Sequence, residues 1–162
     1  MRRKFGKVLS AIAQNDKNIF VLVGDIGFGI FDDFRKDHPD RFINLGICEQ
    51  SLIGFAAGMA LQGLKPWVYT ITPFLIERPF EQVKLDVDQQ KANVKLVGFA
   101  DYPSLGPSHK EIDAKKMMKL FKNIKSFFPK DSYETKKITL KCSKLVGPTF
   151  ISLKTDKTLN NW

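Results

Sequence analysis

The chain has 162 residues, 43% hydrophobic and 27% charged, with 14 Phe against three Tyr and two Trp. That length makes one domain, residues 1–162, with room for a sizeable core. The composition excludes disordered, collagen-like and disulfide-scaffold classes. Cys48 and Cys142 lie far apart and there are two histidines, so a structural zinc site is not expected and a reduced, cytoplasmic setting is. The net charge of +9 is uneven: residues 1–109 hold 13 basic and 12 acidic side chains, residues 110–162 hold 13 and five. The basic last third reads either as an anion-binding face, for an acidic partner or a phosphorylated substrate, or as a solvated lysine-rich surface. No RNP, zinc-finger or basic-zipper pattern accompanies it, so nucleic acid is not an expected partner.

Phe5–Gln14 has apolar residues at helical spacing and predicts a first amphipathic helix. Its apolar run, Val8–Ala13, is too short for a signal segment. No stretch approaches the roughly 18 apolar residues that span a bilayer, so no membrane association is expected. Asn18–Gly24 is a continuous apolar run, the pattern of a strand buried on both faces of a parallel sheet. Phe31–Lys36 predicts a short helix, Arg41–Leu45 a second strand, and Glu49–Gln62 a helix rich in small residues, stopped by Gly63. Pro66–Thr72 predicts a third strand. Pro79–Gln90 opens with a helix-starting Pro, and Phe80, Val83, Leu85 and Val87 fit one face only in part. Val94–Phe99 is a fourth strand and Ala100–Ser108 a loop punctuated by Pro and Gly. Asp113–Leu120 predicts a helix, Ile124–Phe128 a strand, Asp131–Lys144 a helix and Pro148–Leu153 a last strand, with a loosely held tail after Lys154. The alternation predicts an α/β fold: three layers, a mostly parallel sheet with helices on both faces.

Such sheets bind ligands beyond the carboxyl ends of their strands. The segments to inspect are therefore 24–29, 46–50, 72–78 and 99–109. GDIGFG (24–29) superficially resembles a phosphate loop, but its glycines fall at offsets 0, 3 and 5 instead of 0, 2 and 5. A tight strand-to-helix turn is the plainer reading. Glu49 opens a helix, where a carboxylate is stabilised by the helix dipole. The helix behind it carries Gly54, Ala56, Ala57, Gly58 and Ala60, which predicts close packing on the sheet or on a second subunit. His38 reads as a surface residue beside Pro39.

RFINLGICEQ (41–50), the Ala56–Gly58 helix with Gly63 and Pro66, Phe74, RPFEQVKLDV (78–87), LGPSH (105–109) and GPTFISL (147–153) follow one another in an order and spacing that resembles the pyrimidine-binding (Pyr) domain of transketolase-like thiamine-diphosphate enzymes. The resemblance covers roughly residues 5–155. It implies the thiamine-diphosphate-binding fold, and thiamine diphosphate as cofactor. That cofactor reacts at its thiazolium C2 once the aminopyrimidine has removed the C2 proton, which requires a carboxyl group on the ring nitrogen para to the amine. The resemblance gives this role to Glu49, places Gly46, Ile47 and Asp25 at the cofactor, the last at a subunit boundary, and stacks Phe74 on the pyrimidine. Phe74 read alone is a core residue. His109 is given contact with the cofactor amine and the substrate, and Arg78 either a sugar phosphate or a neighbouring acid.

The chain departs from the family pattern in Asp113–Ala114, in Lys119 and Lys122, and in a loop, Asp101–Leu105, that is Gly-rich elsewhere. No Gly-Asp-Gly sequence is present, so the diphosphate and Mg²⁺ are expected on a partner subunit, and neither that domain nor the transketolase C-terminal domain is expected in this chain. The implied activity is transfer of a two-carbon ketol unit between sugars or sugar phosphates by a split enzyme, as a homodimer or heterotetramer active only with its partner. The alternatives are acyl or ketol chemistry of the 2-oxo-acid dehydrogenase or deoxyxylulose phosphate synthase type, and a silent regulatory partner.

Overall fold

The computed structural model describes residues 1–103 and 105–155. In chain order the elements are α1 (Arg2–Ala13), β1 (Ile19–Val23), α2 (Asp32–Asp37), β2 (Phe42–Asn44), α3 (Glu49–Leu61), β3 (Lys65–Ile71), α4 (Thr72–Ile76), α5 (Phe80–Gln82), β4 (Lys95–Phe99), α6 (Ala114–Met118), β5 (Lys125–Phe127), α7 (Ser132–Lys144) and β6 (Thr149–Leu153). Short 3₁₀ turns occupy Pro39–Arg41 and Pro107–His109. The strands form one sheet in the order β2-β1-β3-β4-β6-β5, and every pairing is parallel.

Side chains alternate across a strand, and here both faces are covered. Val21, Val23, Trp67, Tyr69, Ile71, Val97, Phe99 and Ile151 meet α1, α2 and α7 in one core. Leu22, Val68, Leu96 and Phe150 meet α3, α4 and the helix after it in the other. This is why the strands read as continuous apolar runs. The predicted three-layer α/β architecture is the one observed.

Three local departures matter. From the sequence β3 continues through Thr72, but the chain turns at Ile71 into α4, with Pro73 at its start, where a missing N–H costs nothing. Gly98 makes this possible: a Cβ there would lie 2.7 Å from Thr72 Oγ1, so only glycine lets α4 settle against β4. The second departure is in the predicted Pro79–Gln90 helix, which is α-helical only over Phe80–Gln82 and continues as a π-helix over Val83–Gln89. The wider winding explains the poor fit of the apolar pattern: Val83 and Val87 are fully buried and Leu85 is exposed. It also buries Asp88, whose carboxylate accepts from the backbone N–H groups of Lys122, Asn123 and Ile124 and so pins the approach to β5. The third is His38, which is half-buried with its ring edge-on to Phe34 at 5.2 Å, because the turn folds back on α2.

At the end of the last strand, the Thr155 N–H donates to the Asp101 carboxylate. The rest of the tail after Lys154 lies outside the described residues.

Candidate functional site

Four loops converge beyond the carboxyl ends of β1 to β4. The β1 loop turns sharply, with Asp25 at φ 53°, Gly27 at 105° and Gly29 at 71°. It is the tight strand-to-helix turn read from GDIGFG. Asn44, at the end of β2, ties this loop to the next: its Oδ1 accepts from the N–H groups of Asp25 (2.9 Å) and Gly46 (3.0 Å). Gly46 at φ 77° then allows the turn into α3. Its place is to shape that turn; it does not line the cavity described next.

Between the loops lies a cavity of about 120 Å³, walled by Gly24, Asp25, Ile26, Ile47, Glu49, Thr70, Ile71, Phe74, Tyr102 and His109. It is smaller than ordinary cofactor pockets of about 300–1,000 Å³. Its walls offer one flat heterocycle apolar Ile47 and Ile71, the Phe74 ring, and two carboxyl groups, those of Asp25 and Glu49.

Glu49 is the first residue of α3, as its helix-start reading requires, yet its side chain does not cap the helix. It is 8% exposed, and its Oε1 accepts from Arg78 Nη1 at 2.8 Å. The guanidinium also lies over the Phe74 ring, 3.3 Å from its centroid, a favourable cation–π contact. Phe74 in turn meets His109 edge-on at 4.9 Å. His109 stacks on Tyr102 at 5.9 Å, shares a hydrogen bond with Ser108 Oγ through Nδ1 (3.2 Å), and Tyr102 packs edge-on against Phe99.

The structure thus brings together Asp25, Ile47, Glu49, Phe74 and His109 around one cavity, with Arg78 behind the carboxyl. Tyr102, Thr70 and Asn44 were not foreseen. Tyr102 stands in the stretch where the chain departs from the Gly-rich family loop, and that departure was the available signal. On these loops Phe28, Ile47 and Leu105 are 77%, 73% and 68% exposed. Nearby, burial pushes the Glu111 carboxyl up, with Lys154 and the Thr72 hydroxyl working against the shift.

Among the described residues no group of three or more His, Cys, Asp or Glu could hold a metal ion. The residues present fit the pyrimidine half of thiamine diphosphate, and the described part of the chain has no cluster for its metal. Among the described residues no helix is long and apolar enough to cross a membrane.

A family profile for the pyrimidine-binding domain of transketolase matches residues 1–158. The chain is 44% identical over 150 residues to a subunit of the apulose-4-phosphate transketolase of Actinobacillus succinogenes, covering 91% of this chain and 48% of that protein. It is 30% identical over 159 residues to a putative transketolase C-terminal section of Methanocaldococcus jannaschii, covering 94% and 50%. A solved structure, a split-gene transketolase described as an inactive beta4 tetramer, superposes with a TM-score of 0.86 at 33% identity, covering 96% of this chain and 51% of that one. The chain spans about half the length of these relatives. A matching profile over nearly all of its residues, with the fold and identities above, places the chain in the transketolase pyrimidine-binding domain family.

Proposed function

We propose that this chain supplies the pyrimidine-binding half of the active site of a split transketolase-like enzyme, which moves a two-carbon ketol unit between sugars or sugar phosphates. The observation that carries this reading is Glu49: a buried carboxyl at the wall of a heterocycle-sized cavity, with one oxygen anchored by Arg78. Thiamine diphosphate, when bound, supplies the carbon nucleophile that adds to a ketose carbonyl. Glu49 holds a proton at the pyrimidine ring nitrogen para to the amine. Phe74 stacks on the ring, as aromatic faces do on flat heterocycles. Ile47 and Ile71 keep water from the carboxyl, which strengthens its hydrogen bond. His109, fixed between Phe74 and Tyr102, stands at the mouth and meets the substrate's hydroxyl or phosphate groups. Asp25 faces the subunit boundary.

The diphosphate and Mg²⁺ are held by a second, diphosphate-binding chain. The loops of the site carry exposed Phe28, Ile47 and Leu105, apolar groups suited to a covering subunit. The outer face of α3 exposes Phe55 and Leu61 beside Gly58, which suits a homodimer or heterotetramer. The two cysteines are unpaired, which fits a reduced, cytoplasmic enzyme.

The test is calorimetry of thiamine diphosphate with Mg²⁺, first on this chain alone and then on the chain mixed with a transketolase-like subunit carrying a Gly-Asp-Gly motif. Weak binding alone, tight binding in the mixture and ketol transfer from a ketose phosphate only in the mixture are expected. Micromolar binding by the isolated chain overturns the split site.

A further inference from the structure

Tyr102 joins the cavity to the core. Its ring packs edge-on against Phe99 at 5.4 Å. Phe99, 3% exposed at the end of β4, carries the Arg2 guanidinium of α1 on its ring at 3.7 Å. The Tyr102 ring also lies nearly parallel to the His109 imidazole, 27° apart at 5.9 Å, and lines the cavity. The backbone on either side is held as well. The Thr155 N–H, past the end of β6, donates to both oxygens of the Asp101 carboxylate at 2.8 and 2.9 Å. Pro103 confines the residue before it to extended backbone. A side chain held by two rings, with both of its chain neighbours restrained, is a fixed wall and not a lid.

A fixed wall selects by shape and polarity. Among the described residues no Lys or Arg lines the cavity, and the Asp25 and Glu49 carboxyl groups disfavour an anion beside them. Tyr102, Phe74, Ile26, Ile47 and Ile71 make up the apolar part of the wall. The face of an aromatic ring is its negative side and attracts the positive edge of C–H groups. A hydroxyl pressed against that face loses its water and gains no full hydrogen bond in return, which is costly.

We propose that Tyr102 is a specificity-determining residue: a fixed aromatic wall beside His109 that favours acceptor aldehydes turning a C–H face toward it over those turning a further hydroxyl or a phosphate group. The proposal rests on the functional reading above and narrows its substrate class. His109 takes one hydroxyl of the substrate, and Tyr102 decides what can stand next to that hydroxyl. The ring face does the selecting, so the phenol oxygen is dispensable. The stacking on His109 makes the same ring the support of the imidazole.

The test uses the chain reconstituted with a diphosphate-binding subunit, thiamine diphosphate, Mg²⁺ and one ketol donor. The acceptors are lactaldehyde and glyceraldehyde, which differ by a single hydroxyl at C3, and glyceraldehyde 3-phosphate. In the parent, kcat/KM should be highest for lactaldehyde. Tyr102→Phe, which keeps the ring, should keep that order and ratio. Tyr102→Ala should lower the ratio of lactaldehyde to glyceraldehyde by about tenfold, the scale of one apolar contact in a specificity pocket. In the chain alone, the NMR signals of the His109 ring should stay in place in Tyr102→Phe and move in Tyr102→Ala, as loss of a stacked ring current requires. A parent that prefers glyceraldehyde or its phosphate overturns the proposal, and that result needs no variant to fold. So does a ratio that Tyr102→Ala leaves unchanged, a Tyr102→Phe that behaves like Tyr102→Ala, or a His109 signal indifferent to the loss of the ring. Failure of the functional reading looks different: no ketol transfer to any aldehyde, which takes the proposal with it.

Discussion

Two charged side chains are buried at opposite ends of the same sheet. Glu49 lies beyond the carboxyl ends of the strands and Lys95 at the amino end of β4. Lys95 is 1% exposed, and its Nζ donates to the carbonyls of Leu145 (2.8 Å) and Gly147 (2.7 Å). Both acceptors belong to the turn between α7 and β6, so the ammonium staples that turn to the sheet. Glu49 is 8% exposed, accepts from Arg78 on Oε1, and lines a cavity. Burying a charge is costly unless it is compensated. Lys95 is compensated by fixed backbone, a closed arrangement that serves structure. Glu49 is compensated by one half-exposed side chain and lines a cavity, which is the arrangement a ligand can use.

The largest expected effect separates the two at the level of activity. In a complex reconstituted with a diphosphate-binding subunit, Glu49→Gln keeps the shape of the side chain but cannot hold the carboxyl proton. Turnover should fall by orders of magnitude, as it does when a group acting chiefly in the transition state is lost. Cofactor binding should weaken less, and the thermal midpoint should change little. The rate at which bound thiamine diphosphate exchanges its C2 proton is the direct measurement. An unchanged exchange rate would return Glu49 to the status of a helix-start acid.

Lys95→Ala should show the opposite profile. It removes the three buried stem carbons beyond Cβ with the ammonium and orphans two carbonyls. Truncations of that size cost about 2–5 kcal/mol, and the unpaired acceptors add to the loss. Denaturant titration would measure it. Binding at the other end of the sheet should be unaltered under conditions where the variant is folded. A variant as stable as the parent would mean that the turn at Leu145–Gly147 does not depend on the staple.

How far these two sites were legible in the sequence differs for a physical reason. Glu49 stands within a run, Gly46 to Gln50, whose neighbours at fixed spacing define a strand end, a turn and a helix start. Local order carries the signal. Its partner Arg78 is 29 residues away and could be read as a ligand for a phosphate or for an acid, and its contact with Glu49 is set by the packing of the chain around α3. The strands and both cores were legible because continuous apolar runs have few other destinations. Lys95 was not, since it sits in a run, VKLVGF, that reads as apolar around it, and the carbonyls that receive its ammonium lie 50 and 52 residues later. The π-helical turn escaped for a similar reason, because its periodicity is neither 3.6 nor 2. Tyr102 could be noticed only as a departure, and its stacking on His109 is a fact of loop geometry.

The smallest effect concerns pH, and here Lys95 behaves opposite to a lysine in a surface ion pair. Burial, the leading cause, pushes its ammonium down from the ordinary 10.5 to about 8, with the nearby Cys142 working against the shift. Below pH 8 both the folded and the unfolded chain hold the proton, and stability does not change on its account. Between about 8 and 10.5 the unfolded chain retains a proton that the folded chain has released. Stability rises with pH wherever the unfolded state binds more protons, so Lys95 should add stability through this window, by up to about 1.4 kcal/mol per pH unit. Two other groups pull the other way at the alkaline end. Burial pushes the Cys142 thiol above its usual 9.0, and the Tyr69 hydroxyl up to about 12 from 10.0. Their protons are lost first from the unfolded chain, which lowers stability. The Lys95→Met variant keeps both groups and the apolar stem, so the difference between parent and variant reports the lysine together with its coupling to Cys142. Urea unfolding of the pair at pH 7, 8, 9 and 10 should show the parent gaining on the variant above pH 8. If the two curves run parallel, the ammonium is not buried in solution as it is here, and the closed end of the sheet is more open than the end that carries Glu49.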